Sequence, residues 1–371
     1  MGSSPQDITA KGGSGWIRAV VGDFLAASSR RTAHSKTVRA GPLGDYPQLK
    51  IEVKRLGLLD RQPAYYAWKS AQALAFVLLG VAWVGFTRGT HLVWFGAALL
   101  AFASAQLTLL GHDAAHRAVF ASPRANDLLA LLCINALNGG SYRWWAASHN
   151  EHHARSGDLT RDPDLDYPFL AFSEVQAALK TPRFRPVLAR QHALVIPFAA
   201  LVGFTLRAYS LVSLARGRGA RAEIPAVALF YVLYPSLVIS ALGPARAALF
   251  TLIALALNGL ILASITAPGH WAMPMPEATH AMDFVRHQVT TSRNLAGGAL
   301  VDLWYGGLNL QIEHHLFPTM ARNNLRRARE VVRAFCAERG IPYHEVSPGA
   351  AYAEIYSTMR RVARHVRDQT N

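Results

Sequence analysis

From Ser70 to Thr87 the chain runs 18 residues without a charge, breaks at Arg88-Gly89-Thr90-His91, and resumes for 20 more from Leu92 to Gly111. At a helical rise of 1.5 Å per residue each run spans roughly 27–30 Å, the hydrocarbon thickness of a bilayer, and the short break makes the pair a transmembrane hairpin. A second pair runs from Ile224 to Ala245 and from Ala247 to Gly269, parted by Arg246 beside a Gly243-Pro244 turn. Pro235 is expected to kink the first helix of that pair. Two other apolar stretches, Leu128 to Tyr142 and Gln191 to Leu206, fall short of a comfortable span, and Arg207, Arg216, Arg218 and Arg221 follow the second closely. Both are read as helices lying in the interface. From Asn323 to Arg339 apolar residues recur at helical spacing with arginines opposite, which predicts an amphipathic helix, either resting on the acidic membrane surface or solvated.

Composition agrees with a membrane protein. Hydrophobic residues make up 51% of the 371 and charged ones only 16%, well under the roughly 25% of soluble domains, which argues against an ordinary soluble enzyme. The charges are biased, 38 Lys plus Arg against 23 Asp plus Glu, a net +15 with histidine neutral. With two hairpins, the basic N-terminal region, residues 112–223 and the arginine-rich tail all fall on one side, leaving Arg88 and Arg246 on the other. The positive-inside rule makes the basic side cytosolic, so the charge orients helices and no nucleic-acid partner is expected. The first 69 residues lack a signal-peptide core, since Trp16 to Ala27 is broken by Arg18 and Asp23, and a cleaved leader is not expected. Cys133 and Cys336 are too far apart in sequence for a disulfide framework or a cysteine zinc site. The expected organisation is a basic cytosolic extension (1–66), a membrane domain (67–340) and a cytosolic tail (341–371). Arginine exceeds lysine by 32 to 6, which suggests a GC-rich bacterial genome and a plasma-membrane location.

Histidine narrows the chemistry. Directly after the second membrane run comes Gly111-His112-Asp113-Ala114-Ala115-His116, then Ser148-His149-Asn150-Glu151-His152-His153, and later Gln311-Ile312-Glu313-His314-His315-Leu316-Phe317-Pro318. On a helix, residues i and i+4 project from one face, so His112 and His116 can chelate one ion, as can His149 with His152 or His153. Imidazole suits iron, copper, zinc and nickel alike, so residue type alone leaves the metal open. One such pair is weak evidence, but three clusters on the same side of two hairpins are not. His270 follows the last span as His112 follows the second, and topology nominates it as a further ligand. His280 and His287 are assigned to the surface, and His34, His91, His192, His344 and His365 have no ligand spacing.

These three boxes resemble those of the membrane fatty acid desaturases, with Gln311 in place of a leading histidine as in their front-end, acyl-lipid or acyl-CoA branch. The resemblance covers roughly residues 65–335, including Thr291-Ser292-Arg293-Asn294 and Gly306-Gly307-Leu308-Asn309. It implies an all-α bundle of four transmembrane helices under a cytosolic cap, holding two iron ions chiefly on His112, His116, His149, His152, His153, His270, His314 and His315. It also makes Asn309 a candidate to hold a water on one iron. Carboxylates commonly take the second ring N–H of a ligand histidine, so Asp113, Glu313, Asp162 and Asp164 are candidates for that role, with Gln311 beside them. The non-ligand carboxylate Glu151 reads equally well as surface charge.

The implied activity is O2-dependent insertion of a cis double bond into a fatty acyl chain, carried by acyl-CoA or a membrane lipid, with no catalytic residue beyond the metal ligands. Unactivated C–H groups have no acidic proton, so acid–base side chains cannot do this work, whereas a metal centre that activates O2 can. The HPGG motif that marks a fused cytochrome b5 domain is absent, so a ferredoxin, cytochrome b5 or dedicated reductase is the expected electron donor. Two other readings stay open: a hydroxylase or ketolase of the same fold, and a non-enzymatic basic membrane scaffold.

Overall fold

The structure is a computed structural model and describes residues 44–217, 221–275 and 282–369. Among these the chain is almost wholly helical. In order come α1 (Asp45–Arg55), α2 (Pro63–Thr87), α3 (Val93–Ala115), α4 (Pro123–Ala130, continued by a π-helical turn Leu131–Ala136), α5 (Tyr142–Arg155), α6 (Glu174–Leu179) and α7 (Gln191–Ala215). There follow α8 (Glu223–Leu242), α9 (Pro244–Thr266), α10 (Phe284–Thr290), α11 (Ala299–Tyr305), α12 (Gln311–Leu316), α13 (Leu325–Glu338) and α14 (Pro348–Asp368). Two-residue strands β1 (Asn294–Leu295) and β2 (Glu345–Val346) pair in parallel.

Among the described residues, five helices are long and apolar enough to cross a membrane: α2, α3, α7, α8, and α9 with the turn that follows it. Their packing inverts the soluble pattern. Leu78, Val81 and Phe86 on α2, Val232 and Leu237 on α8 and Leu252 on α9 point outward, where only lipid is a suitable solvent. Inside, Val84, Val93, Ala97, Val238, Leu242 and Phe250 form one cluster that joins α2, α3, α8 and α9. At the end remote from the histidines Arg246 donates to the carbonyls of Arg88 (2.8 Å) and Thr90 (3.1 Å), tying the two hairpin turns together.

Three sequence expectations change. Gln191–Leu206 is not a short stretch: α7 continues through Arg207 to Ala215, 25 residues in all. The charge fails to end the helix because Arg207 turns inward, donating from Nη1 to Gly203 O (2.8 Å) and Asn258 Oδ1 (3.3 Å). Leu128–Tyr142 is not one helix either. The α4 segment passes into a π turn that stops at Ala136, and Gly139 then takes a positive φ of 67°. The 323–339 segment forms α13, but its apolar face is covered: Leu325, Ala328, Val332 and Phe335 pack with Leu49 and Val53 of α1 and Ile312 and Leu316 of α12. It is therefore a protein-packed amphipathic helix and not a membrane-surface one.

The packing of α7 on α9 depends on two glycines. A Cβ at Gly203 would stand 2.1 Å from the Leu255 carbonyl oxygen, and one at Gly259 would stand 2.6 Å from that of Ala200. Backbone cannot yield as a side chain can, so Gly203→Val should force the helices apart. The expected result is loss of the folded, monodisperse protein in size-exclusion chromatography, whereas Ala208→Val, on an exposed position of the same helix, is expected to be tolerated.

Candidate metal centre

Each histidine cluster sits where a helix can aim two rings at once. On α3, His112 and the C-capping His116 are one turn apart. Ser141 caps α5 by accepting from Trp144 N (3.3 Å), and along that helix His149 and His153 share a face while His152 is turned about 100° away. On α12 the adjacent His314 and His315 diverge for the same reason. The consequence is two groups. His112, His116, His149 and His314 converge, with their ligand atoms within 4.8 Å of one another, and so do His152, His270 and His315. His153 lies between the groups. Its Nε2 is 3.1 Å from that of His149, and its ring stacks on His315 with centroids 4.1 Å apart.

The nitrogens fit a cation better than they fit one another. His112 Nε2 and His149 Nε2 are 3.1 Å apart, and His152 Nε2 and His270 Nε2 are 3.3 Å apart. Two ligands on one ion with metal–nitrogen bonds of about 2.0–2.1 Å would lie roughly 3.0–3.4 Å apart. Nε2 of His116, His314 and His315 is buried without a hydrogen-bond partner, an arrangement that is costly unless something outside the protein completes it.

The outward nitrogens are held by acceptors. His152 Nδ1 donates to Asp162 Oδ1 (2.9 Å), with Asp164 3.7 Å away. His270 Nδ1 donates to Thr291 O (3.0 Å), His315 Nδ1 to Gln288 Oε1 (2.8 Å), and His112 Nδ1 faces Asp113 Oδ1 (3.3 Å). With Nδ1 carrying the proton, each of these rings turns an Nε2 lone pair toward its group. Burial, reinforced by neighbouring rings, holds His116, His149, His153, His314 and His315 well below the usual histidine range and His270 down to about 3. Burial also pulls His152 down, but Asp162 and Asp164 outweigh it and hold that ring up at about 9. The six rings held low are neutral, as a divalent ion requires of its ligands, whereas His152 would give up a proton on binding one.

The other candidates divide. Gln311 reaches the second group, its Nε2 2.9 Å from His270 Nε2. Asp113 also bonds Arg322 Nε (2.9 Å). Glu313 is fully buried, where it accepts from Asn294 Nδ2 (2.7 Å) and Tyr343 OH (2.8 Å); burial lifts its carboxyl to about 7. Asn309 donates from Nδ2 to Asp302 Oδ1 (2.9 Å), and its own Oδ1 is buried without a partner. His287 is not a surface residue: it is buried and its Nε2 donates to Ser156 O (2.7 Å), so it braces the end of α5. His280 and His34 lie outside the described residues. Arg322 is buried in an ion pair with Asp113 (2.7 Å).

Several functional residues gave no signal of their own. Gln288 links the groups by accepting from His315 and donating from Nε2 to His153 O (2.9 Å). Gln288→Leu should free the His315 ring and lower metal affinity or turnover about 10–100-fold, measurable by metal titration of the purified protein. Trp145 stacks on His149 with centroids 4.6 Å apart. Arg293, wholly buried, donates to the Pro268 and Trp271 carbonyls on either side of His270 and pairs with Glu354 of α14. Gly307 leaves the space that Arg322 fills, since a Cβ there would stand 2.3 Å from Arg322 Cγ.

Comparison with known proteins agrees with this site. The chain is 28% identical over 342 residues to the acyl-lipid (9-3)-desaturase of Borago officinalis, covering 88% of this chain and 76% of that one. It is 30% identical over 321 residues to fatty acid desaturase 3 of Bos taurus, covering 82% and 69%, and 28% identical over 345 residues to delta(8)-fatty-acid desaturase 2 of Arabidopsis thaliana, covering 88% and 76%. The fatty acid desaturase family model matches residues 89–347, which take in all three histidine boxes and His270, and the chain belongs to that family.

Proposed function

We propose that this protein desaturates fatty acyl chains, using O2 and two iron ions held by the seven histidines of the two groups together with His153 between them. The observation that carries this reading is the set of buried, unpartnered ring nitrogens turned toward two shared points beside an apolar bundle. Two irons bound there would supply what no side chain can, the activation of O2 to an oxidant able to take hydrogen from an unactivated methylene. The reaction balances as –CH2–CH2– + O2 + 2 e⁻ + 2 H⁺ giving –CH=CH– + 2 H2O. A donor of the ferredoxin, cytochrome b5 or reductase kind provides the electrons.

The protein's own residues position and exclude. Asp113, Asp162, Gln288 and the Thr291 carbonyl fix the ligand rings, and Arg293 holds the turn that bears His270. Trp144 and Trp145 line a cleft in the bundle, and Trp145 stacks on His149, so its apolar walls can hold an acyl chain dry beside the histidines.

Four crossings, made by α2, α3, α8 and α9, fit the site best. The start of α7 and the start of α8 are both tied to elements on the histidine side: Gln191 donates to Ala171 O (2.9 Å) and Met359 O (3.3 Å), and Glu223, the first residue of α8, accepts from Ser141 Oγ (2.7 Å) and Arg143 N (2.8 Å). A helix that begins and ends on one side adds no crossing, and all histidines then share one face. Basic loops on that face support a cytosolic site, and the arginine excess over lysine supports a bacterial plasma membrane.

Gas chromatography of acyl chains from cells expressing the protein is the test. New alkenes, formed from acyl-CoA or from phospholipid in a parallel assay of membranes, are expected. Hydroxylated chains without any new alkene would overturn the reading.

A further inference from the structure

Arg207 is a cation inside the apolar bundle with no paired carboxylate among the described residues. Its Nη1 is spent on Gly203 O and Asn258 Oδ1, while its Nε is buried with no partner. Asn258 cannot turn away, because its own amide donates to Ala101 O (3.2 Å) and Ser104 Oγ (3.1 Å). The guanidinium is thus fixed in place through Nη1, with its Nε–H and the two N–H of Nη2 unspent. It lines the same cleft as Trp144, Trp145, Leu206, Ser210 and Leu262. Of these, Trp145 also stacks on the ligand His149. An ionised group in the membrane layer is costly and is retained where it meets something polar.

We infer that Arg207 is a positioning residue that receives the carbonyl oxygen of the acyl substrate on the unspent N–H groups of its guanidinium. The inference rests on the proposed desaturase reading. A saturated acyl chain offers hydrogen-bond acceptors only at its carboxyl end, as thioester, ester or carboxylate, and the rest is methylene. In a cleft with apolar walls and an unspent cationic donor group, the carbonyl goes to that group, by a charge-assisted bond, and the chain extends past Trp145 toward the histidines. The double bond is then placed by counting carbons from the carboxyl end, with the span from Arg207 to the two histidine groups as the ruler.

The test has a binding arm and a turnover arm. Quenching of tryptophan fluorescence is measured with a bromine-labelled fatty acid methyl ester and with the bromoalkane of equal length, which differ only in the carbonyl. The wild-type protein should bind the ester about tenfold tighter or more, and R207M should bind the two alike, with R207K recovering part of the preference. Equal binding of the two probes by wild-type protein, which needs no variant to measure, overturns the inference, as does a preference that R207M leaves intact. In turnover on acyl-CoA and on phosphatidylcholine, R207M should raise KM about tenfold for the carrier used, with a smaller change in kcat, and should give double bonds at more than one position. Unchanged KM with a single position overturns it. An ester preference carried by Arg207 in a protein that makes no alkene would refute the desaturase reading and leave this site standing.

Discussion

Replacing His314 and His315 together by alanine is expected to abolish desaturation and strip the protein of metal while leaving it in the membrane. The two residues are neighbours on α12 but serve different groups, His314 with His112, His116 and His149, and His315 with His152 and His270. The double change therefore removes one ligand from each. Neither ring carries the fold: Nε2 of both is buried without a protein partner, and His315 holds only Gln288 through Nδ1. Insertion is determined by helices remote from α12, so membrane fractions should contain the variant at near wild-type level. Metal analysis should fall from two ions per chain toward none, and new alkenes should drop below detection. The single variants divide the effect, each lowering the metal content by about one ion if the groups bind independently. Retained desaturation in the double variant would remove these residues from the site.

Arg322→Met should cost about 3–5 kcal/mol of stability and most of the metal affinity. The Arg322–Asp113 pair is buried on both sides, at 7% and 11% side-chain exposure, and Asp113 in turn faces His112 Nδ1. Methionine keeps the length of the stem but leaves the Asp113 carboxylate charged and without its cation. It also removes the donor to Leu109 O (2.8 Å), at the level of the first histidine box. The Arg322 backbone N–H still donates to Tyr66 OH (3.2 Å), so the loop keeps one tie to α2. Removing both charges separates the two contributions. Asp113→Asn with Arg322→Met leaves no uncompensated ion and should recover a large part of the stability by thermal unfolding in detergent, while metal affinity stays reduced because His112 has lost its carboxylate. A double variant no more stable than Arg322→Met alone would show that the pair does not act through its charges.

The two hairpins were legible in the sequence because a bilayer imposes a simple rule, about 20 uncharged residues per crossing, and a chain cannot satisfy that rule by long-range contact. The three histidine boxes were legible because chelation by one helix is local: His112 with His116 and His149 with His153 are set by the helical repeat alone. His270 could be found by topology, since it follows the apolar run ending at Gly269 as His112 follows the one ending at Gly111. Where a charge ended a pattern, local reading failed. Arg207 looks like the close of a short apolar stretch, but α7 runs on because Gly203 and Asn258 accept its guanidinium.

Residue type, spacing and hydropathy by themselves thus determined the class of protein, its main membrane helices and the list of ligand candidates. Only the tertiary structure decided how those ligands divide, because His152 and His153, or His314 and His315, are indistinguishable until α3, α5, α9 and α12 are packed together. It alone decided which partners hold the rings. Gln288, the Thr291 carbonyl and Arg293 are far in sequence from the histidines they touch or brace, and no local period marks them. It also made Arg322 the buried partner of Asp113 and left Arg207 with donors to spare. The physical reason is the same in each case: helical repeat and water-to-lipid transfer act over a few residues, whereas the charge and hydrogen-bond pairing of a buried polar group depends on whatever distant segment is packed against it.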